Sequence, residues 1–77
     1  MATRAFVLIE TQVGRTKQVA ETLRSFRGVK SADVITGQFD VIALVEVQGL
    51  REMADLITAR VQGIRGVVRT ITCVSAG

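Results

Sequence analysis

Two stretches of this chain occur twice. Phe26-Arg27-Gly28-Val29 returns as Ile64-Arg65-Gly66-Val67, and Phe6-Val7-Leu8-Ile9-Glu10 is echoed by Ile42-Ala43-Leu44-Val45-Glu46. Each repeated glycine turn follows a helical pattern and precedes a strand pattern. Each half therefore reads strand–helix–strand, and the halves together use all 77 residues. A chain of this length is one domain, expected here over residues 1–77. No segment is expected to remain for a catalytic insertion or a DNA-reading helix.

The strands differ in character. Ala5 to Thr11 and Val41 to Val47 are near-continuous apolar runs, the mark of strands buried on both faces. Val29 to Thr36 is broken by Lys30, Ser31 and Asp33, and Val67 to Val74 by Arg69, Thr70 and Thr72. Mixed strands belong at edges. Of the helices, the first carries Val19, Leu23 and Phe26 at i, i+4 and i+7, with Thr16 or Gly14 as N-cap and Gly28 as the terminating glycine. The second carries the stripe Leu50, Met53, Ala54, Ile57, Val61 and Ile64, ended by Gly63 and Gly66. Right-handed crossovers in a βαββαβ order put both helices on one face of a four-stranded antiparallel sheet. The expectation is an α+β, ferredoxin-like fold with the first and third strands central.

Two helices cover only one face of such a sheet. Phe6 and Leu8 point to one side of the first strand, Val7 and Ile9 to the other. The second apolar face needs a cover, and a second copy packed sheet to sheet is the simplest. The apolar share is 48% before the seven glycines are counted, against about 45–50% with glycine in ordinary domains. A dimeric α/β sandwich is therefore expected.

Composition removes several functions. The chain has no histidine, tryptophan, tyrosine or proline and only three phenylalanines. Catalysis by histidine is excluded, and with no Cys-x-x-Cys a transition-metal site is not expected. Cys73 lies in a strand run, where a buried small hydrophobe is expected rather than a nucleophile. No glycine-rich phosphate loop is present. The ten basic residues are scattered among seven acidic ones, with a net charge of +3, which is poor support for nucleic-acid binding. An RNA-binding sheet would display aromatics where this one has aliphatics. There is no signal-peptide pattern and no apolar run near the roughly 20 residues of a membrane span. The expectation is a cytoplasmic protein that is not an enzyme, holds no cofactor and contacts neither membrane nor DNA directly.

The junction of the halves, Thr36-Gly37-Gln38-Phe39-Asp40, should form a tight hairpin. Glycine and aspartate are ordinary turn residues there. The same residues suit a zwitterion: Asp40 for an ammonium, and the Gly37 backbone, Thr70 and Thr72 as donors to a carboxylate. Thr70 and Thr72 share one face of the last strand, although β-branched residues are favoured at such positions anyway. Arg69 points to the opposite face.

At these residues the chain resembles the ligand-binding domain of the Lrp/AsnC family of transcription regulators, the RAM domain. The matching marks are Thr36-Gly37-Gln38-Phe39-Asp40, Arg69-Thr70-Ile71-Thr72 and the turn Arg27-Gly28-Val29. The resemblance covers essentially the whole chain, in the stand-alone form without the helix-turn-helix. It implies face-to-face dimers that associate into rings, often octamers. It also implies an amino acid or related metabolite bound between dimers, and co-assembly with full-length regulators. It makes Thr36, Gly37, Gln38, Phe39 and Asp40 ligand contacts, with Thr70 and Thr72 as partners. Phe39 stands where the family often has tyrosine, so a hydroxyl contact is lost. A small dimeric ferredoxin-like enzyme and a purely structural oligomer are the alternatives.

Overall fold

The computed structural model describes residues 2–76. The elements are β1 (Thr3–Thr11), α1 (Thr16–Arg24), β2 (Val29–Val34), β3 (Val41–Val47), α2 (Leu50–Asp55), which runs directly into a π-helical segment (Leu56–Val61), and β4 (Val67–Val74). The strands form one antiparallel sheet in the order β2-β3-β1-β4. This is the ferredoxin-like arrangement, with the two apolar strands central and the two mixed strands at the edges.

Strand alternation sorts the core. Ala5, Val7 and Ile9 of β1 and Val41, Ala43 and Val45 of β3 are fully buried on the helix side. They pack with Val19, Ala20 and Leu23 of α1 and with Met53, Leu56, Ile57 and Val61 of the second helix. At about 1.5–3 kcal/mol for each large apolar side chain removed from water, this single layer is the main source of stability.

The duplication is visible in detail. Val29 N–H donates to the Phe26 carbonyl (3.2 Å) and Val67 N–H to the Ile64 carbonyl (3.1 Å). The third residue of each turn is left-handed, Gly28 at φ +97° and Gly66 at φ +102°, as a type II turn requires. Each glycine carbonyl then accepts from the neighbouring strand or its end: Gly28 from Glu46 N–H (2.8 Å) and Gly66 from Gln12 N–H (2.7 Å). Just beyond each turn the edge strand carries one extra residue, Lys30 against β3 and Val68 against β1. Such bulges twist an edge away from further pairing.

Several expectations are corrected. Gly28 does not end α1. That helix closes at Ser25 in right-handed geometry, and Gly28 serves the following turn. Neither Gly14 nor Thr16 caps α1. Arg15 holds the N-cap position without a side-chain bond, and the Thr16 hydroxyl lies 2.7 Å from that of Thr11. In the second helix Leu50 is 66% exposed and Ala54 is exposed, while Leu56, absent from the expected stripe, is buried. The buried face is Met53, Leu56, Ile57 and Val61, an ordinary helical spacing centred one position round from the expected stripe. A wide turn closes the segment, where Gln62 N–H reaches back five residues to the Ile57 carbonyl (2.9 Å). β2 stops at Val34, so Thr36 lies in the loop. Cys73 is exposed, because it pairs with Phe6 on the face that the helices leave open.

Gly66 is buried, and a Cβ there would lie 2.8 Å from Arg15 Cβ. Gly14 has φ +83° but open space around it. Gly66→Ala is expected to cost about 2–4 kcal/mol, from left-handed strain plus overpacking. Gly14→Ala should cost only the strain, about 1–2 kcal/mol. Urea unfolding of both variants checks the difference.

Candidate functional site

The loop between β2 and β3 is longer than the tight hairpin expected. Ile35 N–H donates to the Asp40 carbonyl at 2.8 Å, leaving Thr36 to Phe39 as the loop proper. Gly37 has φ +148° with nothing near its missing side chain. Thr36, Gly37 and Gln38 are exposed, whereas Phe39 and Asp40 are half-buried.

Two contacts tie this loop to the sheet. Asp40 N–H donates to the Ile9 carbonyl (2.9 Å), and the Asp40 carboxylate accepts from Thr11 N–H through Oδ2 (2.8 Å). The carboxylate thus satisfies a backbone donor where β1 ends. Its remaining lone pairs can still accept. Phe39 lies under the Arg69 guanidinium, whose carbon is 5.2 Å from the ring centroid. Arg69 Nε in turn donates to Glu10 Oε1 at 2.8 Å.

Register places the two threonines. Thr70 pairs with Ile9 and Thr72 with Val7, so both face the helix side, and both are half-buried. The Thr70 hydroxyl accepts from Gln62 Nε2 at 3.1 Å. Asp40 and Thr70 flank β1 from opposite sides, so their backbones stand two strand spacings apart, roughly 9–10 Å. Within one protomer the loop and the threonines approach the same end of the sheet without sharing a cavity. The groove at Thr70 is lined by Gln62, Val67, Val68 and Arg69 and by no residue of the loop.

Sequence reasoning missed Thr11, Gln62 and Glu10 as parts of this region. The Glu10–Arg69 pair spans 59 positions, so only strand register shows it. Among the described residues no group of three or more potential metal ligands is found. Among the same residues no helix is long and apolar enough to cross a membrane.

The opposite face of the sheet carries Phe6 and Leu8 of β1, Ile42 and Leu44 of β3, and Ile71 and Cys73 of β4. Phe6 is 46% exposed and Ile71 41%. Charged pairs rim this patch: Lys30 with Glu46 (3.9 Å) at one end and Arg69 with Glu10 at the other.

The Asp40 carboxylate carries a structural bond before any ligand arrives. Asp40→Ala is expected to lower stability by about 1–2 kcal/mol in the absence of ligand. Asp40→Asn, which keeps an acceptor for Thr11 N–H, should lose clearly less. Denaturant midpoints of the two variants test this.

Comparison with known proteins matches residues 4–76 to the family model of the Lrp/AsnC ligand binding domain. An uncharacterised HTH-type transcriptional regulator of Pyrococcus furiosus is 32% identical over 97% of this chain. The chain spans 52% of that relative, about half the length of the curated relatives it matches. A crystal structure from Thermus thermophilus superposes with a TM-score of 0.91 at 32% identity, covering 97% of this chain and 92% of the other. A transcriptional regulator of Neisseria meningitidis, solved as a complex with L-Met, gives a TM-score of 0.87 at 14% identity. It covers 97% of this chain and 50% of the regulator.

Proposed function

The chain belongs to the Lrp/AsnC ligand binding domain family, and from that premise we propose that it is a metabolite-sensing assembly module. It binds an amino acid or a related small metabolite at the loop Thr36, Gly37, Gln38, Phe39 and Asp40. Asp40 receives the ammonium. Gly37 N–H and the hydroxyls of Thr70 and Thr72 serve the carboxylate, from a protomer packed alongside. The observation that carries this reading is the family match over residues 4–76, which contains every one of these positions. The groove at Thr70 has no residue of the loop in its lining, which supports a site completed between protomers. The L-Met complex of the Neisseria regulator supports the class of ligand.

Assembly begins at the open sheet face. Phe6, Leu8, Ile42, Leu44 and Ile71 form one contiguous apolar surface of a kind that monomers rarely leave in water. A second copy placed face to face buries it on both sides, giving an isologous dimer. Dimers then associate into a ring such as an octamer, with the metabolite between them. Ligand that binds one assembly state better shifts the population toward it. The relatives are transcriptional regulators about twice as long, so co-assembly with full-length regulators is the proposed route to gene control. Catalysis and direct DNA contact form no part of this role.

A thermal-shift screen against the twenty amino acids, paired with light scattering, tests both halves. A ligand at about 100 times its dissociation constant should add about 2.7 kcal/mol. Asp40→Asn should abolish that response without unfolding the protein. Wild-type mass should be that of a dimer or a multiple of one. Phe6→Glu should return the protein to a folded monomer of 8.3 kDa. A wild-type monomer would sink the assembly reading, and silence toward every amino acid would favour a structural oligomer.

A further inference from the structure

Arg69 makes two contacts that belong to different parts of the molecule. Its Nε donates to Glu10 Oε1 on the open sheet face, at 2.8 Å. Its guanidinium also covers the Phe39 ring of the β2–β3 loop, at 5.2 Å. One planar cation thus holds the loop and rims the apolar face. We infer that Arg69 is a positioning residue that couples the order of the Thr36–Asp40 loop to covering of the open face by a second copy of this chain. The inference rests on the face-to-face assembly proposed above and adds to it the path by which loop and interface communicate.

The coupling follows from what breaking the clamp costs in each state. In a lone protomer the Arg69 and Glu10 side chains are 60% and 38% exposed. Water replaces either partner there, and the pair contributes little. A partner sheet over the rim withdraws that water. Arg69 then cannot leave Phe39 without abandoning a carboxylate in a covered site, which is far more expensive than in water. Assembly therefore pins Arg69, and Arg69 pins Phe39 beside Asp40. By linkage, whatever orders the loop must favour assembly by the same factor. An arginine suits both contacts at once: its planar fork stacks on a ring while an edge N–H serves a carboxylate.

Two exchange measurements on the whole chain test this without a ligand. One is amide hydrogen exchange of residues 35–41. The other is subunit exchange between isotopically heavy and light protein, read by native mass spectrometry. Phe39→Leu should speed both by about fivefold, the equivalent of about 1 kcal/mol at 1.4 kcal/mol per decade. Arg69→Gln should do the same. The reversed pair Glu10→Arg with Arg69→Glu should recover slow subunit exchange but not loop protection, because a carboxylate does not sit on the negative face of a ring. Adding Phe39→Leu to the reversed pair should then change subunit exchange no further. Fast loop exchange in Phe39→Leu with subunit exchange unchanged would overturn the coupling and leave the assembly standing. A wild-type protein with no assembled species would overturn both.

Discussion

Everything in this molecule depends on one buried layer, the helix-facing residues of the two central strands. Ala5, Val7, Ile9, Val41, Ala43 and Val45 leave no surface to water. The small residues Ala5 and Ala43 let the helices approach closely, while the branched ones fill the space between. With a core this thin, each half of the chain is too small to fold alone, and the duplicated strand–helix–strand units are stable only against each other. The two left-handed glycine turns make this possible, since each brings its edge strand back beside a central strand after the helix has crossed the sheet.

The same economy leaves the other face bare. Alternation along β1 and β3 requires that strands apolar throughout present half of their apolar side chains away from the helices. Phe6, Leu8, Ile42 and Leu44 are the outcome. Both helices lie on the other face, and this uncovered surface is the one on which the proposed assembly is built.

Much of this was legible in the residues. Apolar runs at 5–11 and 41–47, against interrupted runs at 29–36 and 67–74, ordered the strands correctly, because burial on two faces and burial on one leave different patterns. Gly28 and Gly66 marked their turns because only glycine adopts that φ without strain. The second helix was less legible. Leu50, Ala54 and Leu56 are all apolar and all within helical reach of Met53 and Ile57, so periodicity alone does not choose among them. The seating of the helix on the sheet buries Leu56 and leaves Leu50 and Ala54 exposed. Cys73 illustrates the same point: strand composition reveals a buried type of residue, but not which face the partner elements cover.

The sequence by itself determined the order of elements, the central and edge strands, the turn glycines and the excess of apolar surface, because each follows from local conformation or from periodicity. Only the tertiary structure decided which charges and loops meet. Glu10 with Arg69, Phe39 beneath that arginine, and Asp40 on Thr11 N–H join positions distant in the chain. Their meeting depends on strand register and on the bulges at Lys30 and Val68. A one-residue slip would send every side chain of a strand to the opposite face, and nothing in the local pattern fixes that choice until the sheet is assembled.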